Sequence, residues 1–342
     1  MTVWSIPLTG INGRRPLNEE WKPAYKHDTR IILDGESLEV IPLPHFAGMS
    51  LCHYEYQGED IQSKFRGEYD FINLMPHLPT TYCEIIIDDS FWKPPFMPDY
   101  PSHNDTLKLQ TVMMAGTTLI TALRLIGFNQ FIAPCFLKNG TLSSAPNCDE
   151  QTIEFFPQHP FLLPMPLLEV SKARLSRVDF EWVCKAHLTL YRICFTHDLS
   201  PVMSAMSYYY HDMPARAKMT LIWAAIEDLL KPNKSSIRFG IRARGAMMIG
   251  RSDEEIEMLF KQIGNLYGKR SAATHGRKFT YNQGLNINSE NKRLQTDILA
   301  LRSSYQLLCE ILIRIVDRKS MFSDSELLQL EEQYKEKFLK NE

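Results

Sequence analysis

A proline-dense segment, PQHPFLLPMP at residues 157–166, separates two kinds of sequence, and this change constrains the chain more than any other feature. Before it, apolar residues come in short bursts bounded by turn formers, as in RIILDG, LEVIPL and CEIIIDD, a pattern suited to strands. After it, apolar residues recur three and four positions apart over long stretches, the period of amphipathic helices. A chain of 342 residues has length for two domains. The reading is an α+β protein: a β-rich N-terminal domain over 1–165, followed by an all-α helical bundle over 166–342.

Local signals refine this. A helix is expected around 106–127, and FIAPCFLKNG and QTIEFFP read as further strands. Residues 167–195 hold one or two helices, with a break at Val178–Asp179. Ser200 reads as an N-cap with Pro201 in the first turn, and Pro214 kinks or splits the helical stretch that Ser200 opens. KPN at 231–233 ends that stretch. SSIRFGIRARGAMMIG is helical, and the next helix opens on a capping box of Ser252 and Glu255. Two more helices are expected at 294–317 and 324–340. Glu84, Asp88 and Asp89 alternate in part with isoleucines and read as a strand edge.

Composition removes several function classes. The seven cysteines are widely spaced and include no C-x-x-C pair, which speaks against a disulfide framework or a zinc ribbon. His45, Cys52, His53, His77, His103 and His159 match no metal-ligand spacing, so neither a metal site nor a cofactor is expected. The most apolar stretch, 111–128, carries Arg124 and four threonines and reads as a buried helix, not a membrane span. The start of the sequence lacks the order of a signal peptide, so the expected location is cytoplasmic. Net charge is −2 overall but uneven: −8 over 1–165 and +6 over the remainder. A polyanion contact therefore belongs to the second part.

The stretch with the most chemistry is YGKRSAATHGR, at 267–277. Gly276 stands where a helix end wants a left-handed residue, making His275 the last helical position or close to it. The negative end of the helix dipole favours imidazolium there, raising its pKa toward neutrality. Arg270 and His275 lie five apart and diverge by about 140° at 100° per residue. Ser271 shares the face of His275, and Thr274 that of Arg270. Ala272 and Ala273 leave room for a second helix, so a composite cleft across a homodimer is expected, with both alanines at its seam. The bland readings are an exposed helix cation and a helix-end histidine.

The pattern of Tyr267, Arg270, Ser271, His275 and Gly276 resembles the ribonuclease motif of HEPN domains, in its ApeA-like branch. WAAIEDLL, with Glu227, resembles that branch's acidic helix, and SSIRFGIRARGAMMIG its arginine-bearing helix; the resemblance covers about residues 180–318. It implies a metal-independent endoribonuclease with an RNA substrate, tRNA among the options, acting as a homodimer. A 2′-hydroxyl would attack the adjacent phosphate, with His275 moving the proton and Arg270 stabilising the phosphoryl charge. Tyr267, Ser271 and Glu227 are the expected supporting residues. Arg238, Arg242, Arg244, Lys269 and Arg277 are the expected RNA-binding set, a solvated helix face being the other reading of the arginines. Tyr208, Tyr209 and Tyr210 suit core packing or base stacking. ApeA-like relatives imply anti-phage defence by abortive infection, or a toxin, with a phage-derived trigger as a further partner and the N-terminal domain as sensor. The alternative is a non-catalytic HEPN-type RNA-binding or scaffold protein.

Overall fold

A computed structural model describes residues 3–10, 32–34, 36–55, 81–92, 105–128, 131–132, 135–138, 140, 153–155, 174–209, 215–274 and 290–339. They form two compact units, one ending at Tyr191 and the other beginning at Arg192. The architecture is α+β: an antiparallel sheet in the N-terminal region and a mostly helical C-terminal part. The expected boundary at 165/166 lies outside the described residues.

In the first unit the strands are β1 (Trp4–Gly10), β2 (Ile32–Leu33), β3 (Glu36–Ser37), β4 (Val40–Pro42), β5 (Met49–Glu55) and β6 (Thr81–Ile87). After α1 (Asp105–Leu125) come β7 (Phe131–Ile132), β8 (Cys135–Lys138), β9 (Ile153–Phe155) and β10 (Arg174–Leu175). The main sheet runs β4-β5-β6-β1-β8-β9, with β7 also beside β1, while β10, β2 and β3 form a small second sheet. The bursts in LEVIPL and CEIIIDD became β4 and β6, whereas β1 and β5 were not expected. Strand β1 hides behind Pro7, a residue that rarely sits in a central strand. The pairing explains it: on one side β8 covers Trp4–Ser5 and β7 covers Thr9–Gly10, leaving Pro7 between them.

Strand β6 is interior, between β5 and β1, which corrects the edge reading of Glu84. Its side chain is fully buried and accepts a hydrogen bond from Ser5 Oγ at 3.1 Å. Helix α1 lies close to the sheet, for a Cβ on Gly116 would fall 2.2 Å from Ile6 Cδ1. Its threonines do not oppose burial, because Thr111 donates to Leu107 O and Thr118 to Met114 O within the helix. Among the described residues, no helix is long and apolar enough to cross a membrane.

Helix α2 (Arg177–Thr196) begins at the expected break, with Ser176 Oγ accepting from Asp179 N; residues 174–175 before it are strand, not helix. From α2, the fully buried His187 stacks on Phe46 at 4.2 Å. Its Nε2 lies 3.0 Å from Ala115 O, so that nitrogen carries the proton, and Nδ1 makes no hydrogen bond. Burial pulls the imidazole down to about 3, against the hydrogen bond to Ala115 that favours its charged form.

The second unit continues with α3 (Ser200–Tyr208), α4 (Ala215–Leu230), α5 (Ile237–Ile249), α6 (Asp253–Thr274), α7 (Glu290–Arg318) and α8 (Asp324–Phe338). Helix α4 is the axis of this unit and packs against α3, α5, α6 and α7. Helix starts differ from expectation in detail. Leu199, not Ser200, is the N-cap of α3, and Asp198 accepts from Ser200 N. At α6, Ser252 Oγ accepts from Glu255 N, but Glu255 reaches back to Arg251 N, one residue beyond a capping box. A complete box, Ser323 with Glu326, opens α8 and was not expected from the sequence.

Arg244 corrects a further expectation. It is 2% exposed, inside the unit, not on an RNA-facing stripe. Its Nη2 pairs with Glu331 Oε2 at 2.8 Å, and its Nη1 donates to Leu230 O at 2.9 Å and to Lys231 O. The guanidinium thus satisfies carbonyls left open where α4 ends and ties them to α8. Burial works against the Glu331 carboxylate, but hydrogen bonds from Lys335 and Arg244 outweigh it and hold its pKa below the usual value.

Stability should respond to both of these buried groups. The folded pKa of His187 lies below its unfolded value, so acid favours the unfolded chain, starting near pH 6.5 at up to about 1.4 kcal/mol per pH unit. Denaturant unfolding between pH 7 and 5 should lose stability less steeply in His187→Phe than in the wild type; equal slopes would contradict the buried neutral imidazole. Arg244→Met should cost about 3–5 kcal/mol by stranding Glu331, and Arg244→Met with Glu331→Leu should recover most of that loss in the same assay.

Candidate active site

Helix α6 brings the motif to the axis helix. Arg270 Nη2 stands 2.9 Å from Glu227 Oε1 of α4, with the two side chains 21% and 27% exposed. The approach is an ion pair without the alignment of a hydrogen bond: neither Glu227 Oε1 nor Arg270 Nε has a hydrogen-bond partner. Arg270 also lies over the Tyr267 ring, its guanidinium carbon 5.4 Å from the centroid. One helical turn separates Tyr267 from Arg270, which puts both on the same face.

Two residues not singled out in the sequence fix this face from below. Trp223, fully buried on α4, meets Tyr267 edge-on at 5.4 Å. Its indole Nε1 donates to Ser304 Oγ of α7 at 3.1 Å, and Ser304 donates to Ala300 O. The available signal was spacing, because Trp223 lies four residues before Glu227 within WAAIEDLL and so shares its face. Asp297 of α7 was also missed; it stands 3.6 Å from Lys269 Nζ and offsets that cation.

The carboxyl of Glu227 is pushed above the usual value by burial, and Arg270 opposes the shift only in part. The site thus holds a permanent cation beside a reluctant anion. Chemically, the planar fork of a guanidinium fits phosphate oxygens, while Nε of Arg270 itself is buried.

Other expected residues fall into three groups. Ser271 is half-buried beside Arg270, and Thr274 Oγ1 donates to Arg270 O within α6. Arg238 is exposed on α5, but Arg242 lies across α6, 3.8 Å from the Phe260 ring centroid, and donates to Phe260 O. A Cβ at Gly264 would sit 2.7 Å from Arg242 Nε, so this arginine is packing as much as surface. His275, Gly276 and Arg277 lie outside the described residues, as does Tyr210. Tyr209 is buried and stacked on Tyr305 at 3.7 Å, the core reading of that aromatic run. Among the described residues, no group of three or more His, Cys, Asp or Glu is arranged to hold a metal ion.

No protein-family model matches this chain, and no curated protein or solved structure matches it. In structural terms the site is an arginine–glutamate pair on an aromatic floor, built between two helices of a mostly helical unit.

The motif's alanines answer differently from expectation. Ala272 is half-buried, but Ala273 is fully buried within the chain itself and so does not lie on an open seam. Ala273→Trp should therefore destabilise the fold by about 1–3 kcal/mol through overpacking, seen as a lower denaturant midpoint at any protein concentration. A midpoint equal to wild type would return Ala273 to the surface.

Proposed function

We propose that this protein is a metal-independent endoribonuclease of HEPN type, in which Arg270 stabilises the phosphoryl charge and His275 transfers the proton during attack by a 2′-hydroxyl. The observation that carries the reading is Arg270, its side chain 21% exposed and held between Glu227 and Tyr267. The placement of Glu227 on the axis helix beside the motif helix also agrees with the resemblance of WAAIEDLL and YGKRSAATHG to the ApeA-like branch. The excess of basic residues after position 165 suits an RNA partner. The active form is a homodimer, since Arg270 and His275 diverge on one helix. The acidic N-terminal region restrains or senses, and a phage-derived trigger would release the activity in abortive infection.

A second reading has an observation of its own. Arg270 is already paired with Glu227, as a scaffold residue would be, so the unit also suits a non-catalytic RNA-binding or interaction protein. Labelled total RNA incubated with the full chain in EDTA separates the two. Cleavage that survives EDTA and falls at least about a hundredfold in His275→Ala and in Arg270→Ala is the expected result. Cleavage unchanged in both variants would assign it to a contaminant. RNA retained without cleavage, with and without phage infection, would favour the scaffold.

A further inference from the structure

We propose that Arg242 and Arg238, one turn apart on α5, form a phosphate-binding site in which packing against α6 holds one guanidinium in place beforehand. The site is separate from Arg270 and does not depend on the cleavage reading.

Arg242 is an arginine already fixed at one end. Its Nε donates to Phe260 O of α6 at 3.1 Å, and its guanidinium carbon lies 3.8 Å from the Phe260 ring centroid. That ring is backed in turn by Tyr334 of α8, stacked on it at 4.3 Å. Gly264 makes the room, since a Cβ there would fall 2.7 Å from Nε and 3.1 Å from Cζ. The clamp uses Nε and one face of the guanidinium plane. Among the described residues nothing accepts from Nη1 or Nη2, and neither belongs to the buried atoms left without a partner, so both remain open to water. An ordinary surface arginine gives up rotamer freedom when it holds a ligand, whereas Arg242 has given it up in folding.

The charge around this clamp is unbalanced. Arg238 is exposed and lies four residues before Arg242, about 6 Å away at Cβ. Among the described residues neither arginine has a carboxylate partner. Burial, and then the Arg238 charge, hold the Arg242 guanidinium below its usual value, and Tyr334 opposes them. Carboxylates on the facing helices are taken by other cations: Glu331 by Arg244 and Lys335, Glu257 by Lys261 at 3.9 Å, and Asp253 by Lys337. Like charges at this spacing cost stability, and an anion bridging them removes the cost. A phosphate group suits the position, because its tetrahedral oxygens can accept from two guanidinium forks at once.

The test reads binding to the full chain by fluorescence anisotropy. The probe is a labelled 2′-O-methyl uridine 12-mer, which carries phosphates but no attacking hydroxyl. Log affinity should fall with log salt concentration, and the slope should lessen by about 0.7 in Arg238→Gln and in Arg242→Gln. Arg238→Gln carries the test if Arg242→Gln unfolds, since Arg238 is exposed. Gly264→Ala keeps both charges but displaces the guanidinium; it should weaken binding several-fold, a loss that a diffuse basic patch would not show. Calorimetry with pyrophosphate separates the sources of the phosphate. Pyrophosphate binding that is lost in Arg238→Gln, without binding of the 12-mer, supports the site with a small phosphate ligand in place of a polynucleotide. Slopes unchanged in both arginine variants, Gly264→Ala without effect, or no binding of either probe would overturn the proposal. So would decaglutamate competing as well as unlabelled 12-mer at equal charge, which would assign the face to an acidic protein. A chain that binds in this way yet cuts no RNA keeps this inference and loses the nuclease reading, while a nuclease indifferent to both arginines loses this inference alone.

Discussion

The second unit depends on the burial of one helix. Helix α4 is packed by α3, α5, α6 and α7, and Met219, Ile222, Trp223, Ala225, Ile226, Leu229 and Leu230 are all removed from water. Fully burying one such large apolar side chain contributes about 1.5–3 kcal/mol, so this helix concentrates much of the unit's driving force. A helix enclosed in this way has open backbone carbonyls at a buried end, and water cannot reach them freely. Arg244 supplies the donors, and Glu331 of α8 supplies the charge that makes a buried guanidinium tolerable. One ion pair thereby joins the end of α4, the middle of α5 and the face of α8.

The same enclosure shapes the candidate site. Glu227 lies one turn before the end of α4, and its own backbone O accepts from Lys231 N, next to the carbonyls that Arg244 holds. Its position is therefore fixed at the backbone, while its carboxyl reaches Arg270. Trp223, a turn earlier, anchors Tyr267 through ring contact and Ser304 through its indole N–H. Arg270 is thus placed by the packing of three helices, not by the local sequence of α6. Its side chain is 21% exposed, between the interior, where a charge acts more strongly, and open solvent.

The first unit solves a different problem with similar means. Polar groups lie deep in it, and several of them find partners within the hydrogen-bond network. Ser5 serves Glu84 across the β1–β6 ladder, and the threonines of α1 turn back on their own helix. His187 is only half satisfied, with one nitrogen bonded to Ala115 and the other without a hydrogen-bond partner. Burying that second nitrogen costs stability, which the stacking on Phe46 and the T-shaped contact of Phe46 with Tyr191 offset.

Much of the helical part was legible in the sequence because its signals are local. Periodicity placed the helices, Pro214 marked a division between α3 and α4, and four threonines with one arginine were enough to read α1 as a core helix. The motif YGKRSAAT was legible as helix for the same reason. What the sequence could not determine are the quantities that depend on neighbours distant in the chain. Pro7 made β1 unreadable, since only the gap between β7 and β8 makes a proline tolerable there. Arg244 and Arg238 are six residues apart with equal charge, yet one is buried and the other exposed, because only the first meets a carboxylate 87 positions away. Ala273 looked like a seam residue and is interior, for the same lack of long-range information. The chemistry of Arg270 was written in the sequence as a residue type. Its counterion, its aromatic floor and the hydrogen-bonded tryptophan beneath were decided by the tertiary structure, because each comes from a different helix and only packing brings them together.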